Sequence, residues 1–270
     1  MRLARSGILA AAVSTSASAA GGQPAGDLMC PLKPYRPGVI AKVLGPTSFE
    51  LDGSRERVRL TGLWHAAPGS PEEKTLSEAA TAYLRQEAEG HKVRLFADQQ
   101  RRNRFGEHLA HVLVEPPGTG EAFWLQGSLL SAGLARVYTL AGTETLAAEM
   151  LAIEQRAREE QRGLWWEPYF AVRTAENAAR VVGGFHIVRG RVAAVAVTGS
   201  RIYLNFDDDW RTDFTVMIER KHARRFQDGL RGLRELGGRQ VRVRGWVFSL
   251  NGPAVRADHG AALEILSGQQ

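Results

Sequence analysis

The 270 residues contain a single cysteine, Cys30. An internal disulfide and a cysteine-built zinc site are therefore both excluded. Lipid attachment at Cys30 calls for small residues just before it, and Met29 stands there instead, leaving a free thiol near the amino end. Long apolar runs are also missing. Beyond residue 20 nothing approaches the ~18 uninterrupted apolar residues that a membrane-spanning helix needs. Nor is there a charge excess in the first part of the chain. Of the 35 Lys/Arg and 29 Asp/Glu, 16 and 10 fall in Ala171 to Gln270, which leaves 19 of each before them. The whole net charge of +6 thus belongs to the C-terminal part. Such a balance suits a polyanionic partner, and a solvated basic surface accounts for it equally well.

What is present suggests two modest domains, since the length exceeds one typical domain and falls short of three. Met1-Arg2-Leu3-Ala4-Arg5 carries two positive charges, and a small-residue apolar run to Ala20 contains Ala17-Ser18-Ala19, an Ala-x-Ala cleavage pattern. Residues 1–20 are expected to be a signal peptide and the protein to be secreted or periplasmic, followed by a flexible linker over 21–37. A disordered Ala/Ser-rich terminus is the alternative. Val39 to Gly45, Ser48 to Asp52 and Arg57 to Trp64 are short β-branched stretches broken by Gly-Pro and Asp-Gly, the pattern of a β-meander. Ser70-Pro71-Glu72-Glu73 then supplies a Ser N-cap with Pro at the first helical position, opening an amphipathic helix to about Glu89. Lys92 to Ala97 and His108 to Glu115 predict two more strands, and Trp124 to Ala132 and Thr145 to Gln161 two more helices. Five strands with a helix after the third make an OB-type barrel.

This order and its motifs resemble the staphylococcal-nuclease (thermonuclease) family over residues 38–168. The motifs are Arg59-Leu60-Thr61-Gly62, Phe105-Gly106-Glu107-His108-Leu109-Ala110 and Gly133-Leu134-Ala135-Arg136-Val137-Tyr138. The resemblance implies a calcium-dependent phosphodiesterase with acidic calcium ligands and two phosphate-binding arginines. Only the first arginine has a counterpart, Arg59. Where the family places its acids this chain has Thr47, Trp64 and Ala66 or Ala67, and where it places the second arginine there is Glu107. Calcium prefers six to eight oxygen ligands, and Trp64 and Ala67 offer none. No cofactor is expected, with calcium required only if the enzyme reading holds. Arg102 and Arg104 lie in the loop before Glu107 and are candidates to bind phosphate from there. His65, at the end of the third strand, is the candidate replacement base. His108 and His111, three apart on a strand, are expected to face opposite sides, one packed and one exposed.

From Gly184 strands return: Phe185 to Val197, Arg201 to Phe206, Phe214 to Ile218, a helical stretch His222 to Leu236, Gln240 to Phe248 and Ala261 to Leu266. The fold class is therefore mainly β with helices (α+β), a nuclease-like barrel followed, after a linker at 169–183, by a second small OB-like barrel over 184–270. The acids of Asp207-Asp208-Asp209-Trp210-Arg211-Thr212-Asp213 lack the spacing of an EF-hand and are expected to solvate a hairpin loop. Trp210 beside Arg211 suits base stacking with a phosphate contact, or a cap on the barrel end. By period two, Arg242, Arg244 and Trp246 share one strand face, which is either a nucleic-acid groove or a solvated face with a half-buried Trp. Three functions are consistent with these residues: a catalytically impaired binder of nucleic acid, possibly single-stranded by its stacking groups; an active calcium-dependent nuclease; and a periplasmic protein scaffold.

Overall fold

A computed structural model describes residues 25–54, 56–64, 69–118, 121–209 and 212–266. The expected signal peptide, His65, Ala66, Ala67, Trp210 and Arg211 lie outside these. Two barrels of the same topology make up the described chain. The first uses β1 (Lys33–Gly45), β2 (Ser48–Leu51) and β3 (Arg57–Leu60), then β4 (Leu63–Trp64) and α1 (Pro71–Ala88), and continues with β5 (Lys92–Ala97) and β6 (His108–Glu115). Pairing runs β3-β2-β1-β5-β6, and a parallel β3–β6 pairing closes the ring, with Arg59 opposite Leu109. Closure removes the free edges that an open five-stranded sheet would expose.

The second barrel repeats this order. Its strands are β7 (Phe185–Arg191) with its continuation β8 (Ala194–Val197), β9 (Arg201–Asn205), β10 (Thr215–Glu219), β11 (Gln240–Leu250) and β12 (Gly252–Arg256). The path β8-β9-β10-β12-β11-β7 returns to the strand it started from, again with one parallel pair, β10 with β12. The expected single strand Phe185 to Val197 is interrupted at Val192-Ala193. Likewise the expected helix His222 to Leu236 is a 3-10 turn, Arg220–Arg225, and a short helix α2, Gly229–Arg234, separated where Asp228 and Gly229 take positive φ.

Helix α1 forms as its sequence indicates. The Ser70 hydroxyl accepts from the Glu73 amide at 3.2 Å, and Leu76, Ala80, Leu84 and Ala88 bury one stripe at intervals of four. Two further helices, α3 (Leu125–Ser131) and α4 (Ala147–Glu159), pack together beside the first barrel. Gly133 and Gly163 permit this packing. Both have positive φ, and a Cβ on Gly133 would lie 2.2 Å from the Arg162 carbonyl oxygen.

Two expected linkers are structured. β1 starts at Lys33 inside the 21–37 stretch, and Met29 and Leu32 are buried in the first core. In the 169–183 stretch Phe170 is buried, Ala175 and Ala178 enter the second core, and Arg173-Thr174 pairs parallel with β7. Hydrophobic side chains in these segments are held by tertiary packing on the barrels, which local composition does not reveal. Each barrel has its own core, and a third apolar cluster lies between them: Trp64, Leu76 and Leu164 from the first unit with Phe185 and Ile187 from the second. No described helix is long and apolar enough to cross a membrane.

Candidate functional site

Arg59 lies on β3 with its side chain partly exposed, opposite Ser48 of β2. Its guanidinium is not free. Nε donates to Glu107 Oε2 at 2.7 Å and Nη2 to Oε1 at 3.2 Å, a two-pronged pairing along one edge of the planar guanidinium. Glu107 is held for this by its own loop: Asn103 Nδ2 donates to it at 2.7 Å, and Asn103 Oδ1 accepts the amides of Phe105 and Glu107. The Arg59 pairing, aided by Asn103, holds the Glu107 carboxyl below the usual carboxylate range. The Glu that replaces the second arginine thus neutralises the first.

Thr47 is buried in the β1–β2 turn, where its carbonyl accepts the Leu60 amide at 2.8 Å. Trp64 is buried as well. Its ring stacks on Phe185 of the second barrel at 5.1 Å and 15°, and the Arg136 guanidinium lies 4.5 Å from the Trp64 ring centroid. Arg136 is fully enclosed, facing Trp64, Phe170 and Phe185, and burial pushes its pKa down to about 10 although Glu154 opposes the shift. The position that the resemblance assigns to an acid is therefore a joint between barrels.

On the rim, Arg102 is committed to Glu56 at 3.1 Å and to the Gly106 carbonyl at 2.8 Å. Glu56 also takes Arg36 at 2.9 Å and His108 at 3.1 Å; the His108 and Arg102 contacts hold it down to about 2. His108 and His111 are both buried, not one packed and one exposed. Strand β6 is covered on both faces: His108 bonds to the Tyr35 hydroxyl from the start of β1, and His111 packs on Trp124. Burial pushes His111 down to about 4, so it is neutral at physiological pH. Arg104, by contrast, makes no ion pair among the described residues and lies 4.8 Å from the ring of Phe105, which is 72% exposed. Arg101 neighbours them, over the Tyr35 ring at 5.7 Å.

In the second barrel Arg242, Arg244 and Trp246 do share a face, but that face is largely occupied. Arg244 is 2% exposed and donates to Glu154 at 3.0 and 2.9 Å, to Glu264 at 2.7 Å and to the Val137 carbonyl at 3.0 Å. Arg242 pairs with Glu264 at 3.1 Å. A phosphate contact by Arg244 does not fit this geometry, because α4 of the first unit covers it; of the three, Trp246, half exposed, is the most open to solvent. The acidic loop uses Asp213 to accept the amides of Phe206 and Asp207 and Asp207 to accept that of Asp208, as a capped turn does.

Residues 57–167 match the family model for staphylococcal nuclease homologues. The nuclease-homologue domain so defined spans β3 to the end of the helices and stops before the second barrel. No curated protein matches the chain. Calcium, on which the family depends, does not fit the donors present. Trp64 is wedged against Phe185, Thr47 is buried, and among the described residues no three His, Cys, Asp or Glu side chains converge to hold a metal. Sequence reasoning missed the residues that matter most to this arrangement: Arg136, Glu154 and Phe185 in the joint, and Arg101 and Phe105 on the rim. The rim pair had a signal in the basic-aromatic run Arg101 to Phe105; the joint had none.

Proposed function

We propose that the chain is an exported, catalytically impaired nucleic-acid-binding protein that keeps the barrel of a nuclease without its metal chemistry. The observation that carries this reading is the pairing of Arg59 with Glu107. A phosphate seeking the Nε–Nη2 edge of the only matched arginine would have to displace the carboxylate seated there. With Trp64 in the joint, and no three acidic or other metal-binding side chains converging among the described residues, phosphodiester cleavage lacks its cation.

Binding is supported elsewhere on the same barrel. Arg101, Arg104 and the exposed Phe105 occupy the loop between β5 and β6, which OB barrels commonly use against oligonucleotides. An exposed ring beside unpaired guanidinium groups can stack a base and hold its phosphate. Export is supported by the charged start and the Ala17-Ser18-Ala19 pattern. The test is fluorescence anisotropy of a labelled single strand with the full chain. Arg101→Ala with Arg104→Ala should flatten the salt dependence by ~0.7 per lost phosphate contact, and Phe105→Ala should weaken binding at every salt by ~1–3 kcal/mol. No binding at low salt would overturn the reading in favour of a protein-contact scaffold.

A further inference from the structure

Between the barrels, away from Arg59, lies an open-mouthed cavity of about 370 Å³. Its volume falls within the ~300–1,000 Å³ of typical small-molecule sites, which favour domain seams. Tyr138 comes from the first unit; Trp246, Phe248 and Arg256 come from the second. Trp246 is 49% exposed, yet its ring is positioned, because Phe185 meets it edge-on at 6.4 Å and also meets Tyr138 edge-on at 5.2 Å. One aromatic hub thus holds two rings at the mouth of one cavity.

The charges of the cavity select its occupant. His259 is buried in the wall, with Nε2 2.7 Å from the Thr139 hydroxyl and Nδ1 2.7 Å from Asp258, so the Asp258 charge is already engaged. Arg244 is matched by Glu154 and Glu264, although its Nε, on the cavity side chain, has no hydrogen-bond partner. Arg256 is exposed and makes no ion pair among the described residues. Aromatic walls suit a planar heterocycle, and the exposed Arg256 guanidinium favours an anion carried on it.

From this we infer that the seam cavity binds one nucleotide unit, its base against Trp246 and its phosphate on Arg256, either as a free mononucleotide or as the end of a strand. The inference rests on the nucleic-acid reading for its biological ligand but not for its chemistry. It also explains a placement that the rim loop does not: a half-exposed tryptophan fixed at the junction of two barrels.

The test uses the full chain and calorimetric titration with adenosine 5′-monophosphate, with ribose 5-phosphate as the control lacking a base, and separately with a single-stranded oligonucleotide carrying or lacking a terminal phosphate. The mononucleotide should bind and ribose 5-phosphate should not. Trp246→Ala should weaken the mononucleotide by about 5- to 150-fold, the worth of one stacked base. Trp246→Phe should retain most of the affinity, which separates stacking from damage to the fold. Arg256→Ala should abolish the preference for the phosphorylated strand end if the source is a strand, and should weaken only the free nucleotide if it is not. No binding of the mononucleotide, or binding unchanged in both alanine variants, would overturn the inference. Failure of the nucleic-acid reading shows separately, as an oligonucleotide that does not bind while the mononucleotide does.

Discussion

Removing the Glu154 carboxylate should destabilise the whole molecule, because Glu154 joins the two barrels from within. It accepts from the Val137 amide at 2.7 Å and from both Nη atoms of Arg244, and both side chains are almost completely buried. Breaking a buried pair from one side leaves an uncompensated charge and costs ~3–5 kcal/mol. Since Arg244 would keep Glu264 at 2.7 Å, Glu154→Leu belongs near the low end, ~3 kcal/mol. Arg244→Met should cost at least as much, for it leaves the buried carboxylate with the Val137 amide and the 3.6 Å contact of Arg158. The double variant should lose less than the sum, by ~1–3 kcal/mol of coupling. Urea denaturation followed by tryptophan fluorescence and circular dichroism measures all three. The acid limb gives a second check. Burial raises the Glu154 carboxyl, but Arg244 outweighs it and the net shift is downward from 4.5. A depressed carboxylate stabilises the fold above its unfolded pKa and loses that contribution as pH falls through the folded one. The gap between wild type and Glu154→Leu should therefore narrow below about pH 4. Single variants that each cost under ~1 kcal/mol, with an additive double, would refute the buried pair as the joint.

Three further expectations follow from the same geometry. Glu107→Gln should release Arg59, tighten single-strand binding and steepen its salt dependence by ~0.7, one added contact, without producing cleavage; an unchanged slope in anisotropy titrations would show that Arg59 cannot reach a phosphate. Thr47→Asp with Trp64→Asp should give no calcium heat in calorimetry. The new carboxylate at 64 would sit beside Arg136, and loss of the buried indole should cost ~3 kcal/mol or more; a saturable calcium signal in a folded variant would contradict this. His111, with both ring nitrogens unpartnered among the described residues, has its folded pKa lowered by burial from 6.5 to about 4, so protonation favours the unfolded chain as pH falls below 6.5 and the loss is complete below 4. At pH 5 the cost should be ~2 kcal/mol, and His111→Leu should remove it; equal acid sensitivity in wild type and variant would contradict the assignment.

Local rules made much of the architecture legible. The Ser70-Pro71 cap and the period-two strands are decided within a few residues, and the first helix and most strands formed where those signals stood. Two barrels of one topology were also readable, since strand order survives without sequence repetition. The charged strand face was legible only as a face. Period two puts Arg242, Arg244 and Trp246 on one side of β11, but whether that side meets water or helix α4 depends on how the barrels dock, and the partners Glu154 and Arg244 are 90 residues apart. Arg136 was invisible for the same reason: a lone arginine among apolar neighbours carries no sign that three rings from distant segments will enclose it. At the Arg59 site the resemblance implied an acid, Glu107, where the family has an arginine. That the acid would turn back and seize the remaining arginine required the Asn103 to Glu107 loop geometry.

The central claim, a nuclease barrel that holds nucleic acid without cutting it, meets its most direct test in one experiment. A doubly labelled single strand is incubated with the full-length protein at low salt, in calcium and in EDTA, with anisotropy and fragment length read from the same sample. Bound, full-length strand in both buffers is the expected result. Fragments that accumulate in calcium and vanish in EDTA, and that require Arg59, would contradict the account.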